Sequence, residues 1–289
     1  MEAGDDDEVA ADGADLLMRR WMLGAIAGAI AVLLAVALAG CGGGKKSSGD
    51  AKPVSNDLIV AAAAKTTKAG SVEADFKISG AGVNGSGSGV FDTGPSRSGR
   101  LKMKVTVRGM SVPIDSVITG NVLYMRSSVF SQLGLSPDKQ WVKLDLGQLA
   151  NQSGLDLSSL ANSSPTPASA LSYLRGSSKV REVGSESVGG VDTTHYRVTV
   201  DLERAAAKSK GPERESLNRV IQASGVKKLP VDVWVDGKGY VRKMEYAQRA
   251  GSGSKPVRVT MTLHDYGPPV SVKAPPASAT VDLMQALNG

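Results

Sequence analysis

Cys41 is the only cysteine in a chain of 289 residues, and it closes the sequence Leu38-Ala39-Gly40-Cys41. A thiol can act as the nucleophile that accepts an acyl-carrying group, and small residues at 39 and 40 give a peptidase access to the bond before it. Other reactive types are thin. The two histidines, His195 and His264, fall on strand-like stretches beside Tyr196 and Asp265. A metal site needs more ligands than these and a stray carboxylate offer. Gly80-Ala81-Gly82-Val83-Asn84-Gly85 spells G-x-G-x-x-G but runs on into Ser86-Gly87-Ser88-Gly89. With no helix N-terminus following to hold a pyrophosphate, it reads as a glycine-rich turn. Ser-x-x-Lys at Ser136/Lys139, Ser224/Lys227 and Ser252/Lys255 lacks the companion motifs of serine-lysine enzymes, and there is no G-x-S-x-G. No set fills the roles of an active site, so the chain reads as a non-enzyme with no metal and no cofactor.

The segment before Cys41 explains its position. Arg19-Arg20 precedes an uncharged run from Trp21 to Gly40, rich in Ala, Leu, Val and Ile. A short positive region, an apolar run and a small-residue cleavage site make a secretory signal over 18–40. Leu38-Ala39-Gly40-Cys41 resembles the lipobox of bacterial lipoproteins, which makes Cys41 the lipidated residue and the new N-terminus. A spanning helix is the alternative, since twenty apolar residues cross roughly 30 Å of hydrocarbon. Either reading puts the rest of the chain outside the cytoplasmic membrane, held on the outer leaflet. Residues 1–17 carry seven acids and no base, unlike a signal. They read as an acidic extension, and Met18 is a plausible start.

Beyond residue 40 the chain carries 32 Lys+Arg and 21 Asp+Glu, a net of +11. Tethered to a membrane, such a domain would be drawn to anionic headgroups at about 1 kcal/mol per basic residue near the surface, but charge of this kind reads first as an ordinary solvated surface. The charges are scattered singly and aromatics are only 4%, so base stacking, and with it nucleic acid as a partner, is not indicated. The same scarcity makes any core aliphatic.

Residues 41–56 read as the lipidated cysteine and a flexible Gly/Ser/Lys tether of roughly 20 Å reach. Asp57–Lys68 is an amphipathic helix capped by Ser55 or Asn56 and stopped at Gly70. The period then changes to two, with strands expected at Val72–Ile78, Gly89–Asp92, Arg100–Arg108, Pro113–Thr119, Asn121–Arg126 and Trp141–Leu144. Turns are expected at Asn84-Gly85 and Gly120-Asn121. From Gly147 to Gly176 the chain is helical in pieces. Strands resume at Lys179–Ser187, Asp192–Leu202, Leu229–Val235, Tyr240–Gln248 and Val257–Asp265, with a helix at Glu213–Ala223. Residues 278–289 form a tail or short helix. This is an α+β fold, a single curved antiparallel sheet (half-barrel) of ten or eleven strands covered by helices, over 57–277.

Several blocks then form a resemblance. Trp141-Val142-Lys143-Leu144 precedes the helical insert, and Gly189-Gly190-Val191-Asp192-Thr193-Thr194-His195-Tyr196 leads a strand. Val231-Asp232-Val233-Trp234-Val235-Asp236 runs into Gly239-Tyr240-Val241-Arg242-Lys243-Met244, and Asp265-Tyr266-Gly267 precedes Pro275-Pro276. Over roughly residues 55–277 the chain resembles the actinobacterial LppX/LprG-type lipoproteins, similar in fold to the LolA/LolB carriers. The resemblance implies a helix-covered half-barrel whose hydrophobic cavity takes up acyl chains, with membrane lipids or acylated molecules as ligands and an envelope transporter as a candidate partner. It carries over no polar ligand residues.

Leu101, Met103, Val105 and Val107 share one face of their strand, as do Val231 with Val233, and Val257, Val259 with Met261. These nine are the expected cavity lining. The same pattern also suits a solid core, which leaves a non-enzymatic cell-envelope interaction or sensor domain as the alternative.

Cys41→Ser should leave the precursor unlipidated and without fatty-acid label, whereas the two or three acyl chains of the wild type anchor firmly where one does so marginally. Metabolic labelling with detergent partitioning checks this. An unlabelled wild type that still pellets with membranes would establish the spanning helix instead.

Overall fold

The computed structural model describes residues 52–94, 98–107, 109–128, 130, 140–145, 166–249, 255–267 and 270–283. Residues 1–51, with Cys41, the signal segment and most of the tether, lie outside them, as does most of the helical insert before residue 166. No helix among the described residues is long and apolar enough to cross a membrane.

Period two governs most of the chain. The first strands are β1 (Lys52–Val54), β2 (Ser71–Gly80), β3 (Val83–Asp92), β4 (Gly99–Val107), β5 (Met110–Thr119), β6 (Val122–Ser127) and β7 (Trp141–Asp145). Then come β8 (Ser177–Val188), β9 (Val191–Asp201), β10 (Lys228–Asp236), β11 (Val241–Arg249), β12 (Pro256–His264) and β13 (Thr280–Asp282). The helices are α1 (Asn56–Lys68), α2 (Pro167–Tyr173), α3 (Leu202–Lys208) and α4 (Gly211–Ser224). All the strands belong to one open, curved sheet in the order β1-β8-β9-β10-β11-β12-β2-β3-β4-β5-β6-β7-β13. Two meanders, β2–β7 and β8–β12, meet where β12 pairs antiparallel with β2.

The strand count corrects the expectation of ten or eleven. The two additions are β1, inside the expected tether, and β13, inside the expected C-terminal tail or helix. Each has three residues, too few to show a period, and each is fixed by an open sheet edge. β1 pairs with β8. β13 pairs with β7 in parallel, so the sheet is not wholly antiparallel, and Lys143 Nζ reaches Asp282 Oδ2 at 3.0 Å across that edge. Paired edges are protected from joining another chain. Helix α3 replaces the expected end of β9, because Asp201 caps it by accepting a hydrogen bond from Arg204 N at 2.9 Å.

Helix α1 follows its expectation. Ser55 Oγ accepts from Asp57 N at 3.2 Å, Asp57 lies in the first turn and Lys65 and Lys68 in the last, as the helix dipole favours. Its buried stripe of Ile59, Ala62, Ala63 and Thr66 packs toward β8 and β11. Thr66 Oγ1 donates to Ala62 O at 2.8 Å and accepts from Val241 N at 2.9 Å, so the helix also satisfies the start of β11. Below it, Asp236 Oδ1 accepts from the backbone of Lys238 and Tyr240 at 2.9 Å each, and Oδ2 from Arg242 Nε at 2.7 Å. That locks the β10–β11 turn.

One row of side chains crosses most of the sheet: Tyr196, Val233, Met244, Met261, Phe76, Gly87, Met103 and Ile114 are successive cross-strand partners. Apart from Gly87, every member is at most 9% exposed. β3 contributes glycine to this face at Gly85, Gly87 and Gly89. A Cβ on Gly87 would come within 2.5 Å of Met103 Cγ, and one on Gly89 within 2.8 Å of a Phe91 ring carbon. Glycine therefore lets the neighbours lean across the strand, and a strand without side chains on one face can bend toward it.

The β2–β3 turn falls at Ala81-Gly82 (φ 52° and 79°), not at Asn84-Gly85, which lies inside β3. Two left-handed residues make the compact hairpin loop. This register sets Phe76 against Gly87 and Val72 against Phe91, and a slip by one residue would turn Phe91 to the other face.

Val233 is fully buried in the central row. Val233→Asp should destabilise the protein by about 3–5 kcal/mol, the cost of a buried charge without a partner. Urea denaturation measures it, and an unchanged midpoint would overturn this facing.

Candidate functional site

The nine expected lining residues share one face. Val233, Met261 and Met103 stand in the row just described. Val231, Val259 and Val105 stand in the next, which runs Val231, Tyr246, Val259, Ile78, Gly85, Val105 and Val112. Leu101 lies on the opposite side of the central row. Seven of the nine are at most 8% exposed. Val107 and Val257, toward the strand ends, are half-buried.

The apolar surface does not stop at the buried rows. Ile78, Val83, Val107, Val112 and Val257 are all half-buried. Val107 pairs with both Val83 and Met110, and Met110 is 70% exposed. The surface thus slopes from a closed interior out to an open apolar rim at the β2–β3 and β4–β5 turns. Continuous apolar surface that reaches solvent marks a place for lipid, ligand or partner.

Besides Tyr196 in the central row, the phenols of Tyr246 and Tyr173 meet at this face, and neither was picked out in the sequence as functional. Tyr246 sits between Val231 and Val259. Burial pushes its pKa well above the usual tyrosine value, and the neighbouring Tyr173 phenol of α2 adds to the effect. Burial raises Tyr173 as well. Both hydroxyls therefore stay neutral donors in apolar surroundings. Only the pairing of β10, β11 and β12 puts Tyr246 on this face beside the valines, so alternation within one strand could not have found the pair.

The opposite face carries a closed polar network. His195 stacks on Trp234 with ring centroids 4.2 Å apart and planes 7° from parallel. His195 Nε2 donates to Asp232 Oδ1 at 2.9 Å, and Arg197 Nε donates to the same oxygen at 3.2 Å. Trp234 Nε1 donates to Glu186 Oε2 at 2.6 Å, and Lys243 Nζ lies 3.9 Å from the indole centroid. Trp234 is consequently only 4% exposed although it points away from the valines. Burial disfavours the Asp232 carboxylate, but the His195 hydrogen bond and the Arg197 charge outweigh that and hold its pKa below the ordinary value. His195 is thus committed to holding the sheet.

His264 is surrounded differently. Nδ1 lies 2.8 Å from Asp265 Oδ2 and Nε2 lies 3.3 Å from Asp75 Oδ2. Glu73 is its direct cross-strand partner. The sequence showed only the adjacent Asp265; pairing of β12 with β2 supplies the other two carboxylates.

No family model matches the chain. An uncharacterised 31.2 kDa protein from the rplA-rplJ intergenic region of Streptomyces griseus is 33% identical over 156 residues, 52% of this chain and 50% of that protein. The match spans about half the length of this curated relative. Among solved structures the chain is similar to LprF from Mycobacterium bovis, at 14% identity and TM-score 0.45, covering 76% of this chain and 96% of that one. It is likewise similar to the lipoprotein LppX from Mycobacterium tuberculosis, at 16% identity and TM-score 0.44, covering 76% and 100%. LppX is the type by which the resemblance in the sequence is named.

Asp232→Asn should cost about 1–2 kcal/mol at neutral pH, a charge-assisted hydrogen bond discounted for solvent. The folded pKa lies below the ordinary 3.8, so the contribution is complete above that value and is lost as pH falls through the folded pKa. The gap between wild type and variant should therefore close in urea titrations below about pH 4. A gap that persists in acid would exclude an ionic origin.

Proposed function

We propose that this protein is an exported lipoprotein, anchored through Cys41 to the outer leaflet of the cell membrane, that binds acyl lipid against the apolar face of its sheet. The carrying observation is the apolar slope itself: buried rows around Val105, Val231, Val233, Val259 and Met261 continue to a half-open rim at Ile78, Val83, Val107, Val112 and Val257. An acyl chain needs that kind of surface. Each methylene removed from water contributes about 0.8 kcal/mol without any polar contact. An apolar lining of this kind tolerates several headgroups, and a membrane anchor keeps the rim within reach of lipid. No catalytic step belongs to this reading, and an envelope transporter is the kind of partner that would receive or deliver the lipid.

A second reading has its own support. Met103 and Phe91 lean into the hollows left by Gly87 and Gly89, as side chains do in a packed core. On that reading the sheet is solid and the protein is an envelope interaction or sensor domain.

The mature protein, purified under mild conditions, should copurify with lipid seen by native mass spectrometry and by solvent extraction. Ile78→Trp should reduce the bound lipid severalfold, because Ile78 is half-open and faces Gly85 across the strand pair. Its melting temperature should stay close to wild type; at the fully packed Val105 the same ring would overpack the core and cost about 1–3 kcal/mol. Protein free of lipid before and after incubation with vesicles would favour the interaction reading.

A further inference from the structure

The geometry points to a divalent-cation site formed by His264, Glu73 and Asp265, with Asp75 positioning the imidazole. Two strands and one turn build it. β12 ends at His264, and β2 sets Glu73 directly opposite. Asp75 stands two residues further along β2 on the same face, opposite Thr262. Asp265 leaves the strand with φ 46°, a left-handed conformation uncommon outside glycine. One donor atom each from Glu73, His264 and Asp265 lies within 4.8 Å of the others. Donors held about 2.1 Å from a common ion stand about 3–4 Å apart, so small side-chain rotations separate this arrangement from a chelate.

Charge supplies a second argument. Three carboxylates crowd one imidazole, and among the described residues none of them meets a lysine or arginine. Asp75 and Asp265 are paired only with His264, and half-buried Glu73 has no hydrogen-bond or ion-pair partner among the described residues. Like charges gathered without a counter-charge repel one another, and a bound cation removes that repulsion. The other histidine is the contrast: Asp232 beside His195 is shared with Arg197.

The chemistry of the donors selects the ion. Asp265 sits at Nδ1, so Nδ1 is the ligating nitrogen, and Nε2–H remains to donate to Asp75. A carboxylate on the far nitrogen fixes the tautomer and raises the basicity of a ligating imidazole. One imidazole and two carboxylates suit zinc or manganese, whereas magnesium and calcium prefer oxygen alone. Three protein ligands leave the remaining positions to water. The ion would clip β2 to β12, the pair that joins the two meanders. It would lie about 24 Å, seven residues of strand, from the rim at Val257, and it stands independently of the lipid reading.

The test is calorimetric titration of the mature, tag-free protein with zinc chloride after chelator treatment, with magnesium chloride as comparison. One zinc per chain should bind in the micromolar range and raise the melting temperature by a few degrees, while magnesium binds far more weakly. His264→Ala and Glu73→Gln should each weaken zinc binding at least tenfold, and Asp75→Asn should weaken it about tenfold through the imidazole. His195→Ala removes the only other imidazole and should leave binding unchanged. Melting curves of the metal-free variants establish that each is folded. Absence of saturable binding, or binding that folded His264→Ala and Glu73→Gln retain in full, would overturn the proposal.

Discussion

Met261 lies opposite Phe76, and Leu263 lies opposite Ala74. Within each meander, strands that follow one another in the chain are also neighbours in the sheet, most of them joined by short turns and β9 to β10 through helices α3 and α4. The β12–β2 pairing joins the two meanders from opposite ends of the chain, and every cross-sheet row passes through it. Because side chains alternate with period two, a slip of one residue there would turn one meander's apolar face away from the other's. Phe76 and Met261 between them exclude that slip, since both bury nearly completely in the register observed.

Curvature follows from what stands next to this seam. β3 offers hydrogen, not side chains, at Gly85, Gly87 and Gly89 on the inner face, and serine at Ser86 and Ser88 on the other. The inner face can contract there while large neighbours fill the space. Helix α1 then closes part of the same face without leaving backbone groups unsatisfied, since Thr66 accepts from Val241 N. The cover and the sheet are joined by a hydrogen bond as well as by burial of Ile59, Ala62 and Ala63.

The two faces consequently do different work. The inner one is largely aliphatic, broken by the Tyr173, Tyr196 and Tyr246 phenols, and opens at a rim. The outer one carries ionic and aromatic networks whose members come from neighbouring strands: Trp234 among His195, Lys243 and Glu186, and Arg126 paired with Asp115. Trp234 shows how far a network can substitute for a core, because an indole on the outer face is almost completely covered by polar neighbours. The same face holds the His264 cluster, where the carboxylates find no such cations among the described residues.

What the sequence by itself determined is what adjacent residues encode. Alternation at Val72–Phe76 and Leu101–Val105 made strands with a defined inner face, Ser55 and Asp57 opened α1, and Gly189-Gly190 and Gly120-Asn121 turned the chain, as the left-handed φ of Gly120, Gly189 and Gly190 requires. It also put the nine aliphatic residues on inward faces, because period two is a local property. Tertiary structure decided what depends on partners far along the chain. β1 and β13 exist because edges at β8 and β7 were free to pair, and three residues carry no period of their own. The turn moved to Ala81-Gly82, where two left-handed residues close the hairpin and the pairing sets Phe76 against Gly87 and Val72 against Phe91. Glu73 and Asp75 meet His264, and Tyr246 joins the valine row, only through pairing between strands. Local chemistry sets which way a side chain points within its strand; the register between strands sets what it meets.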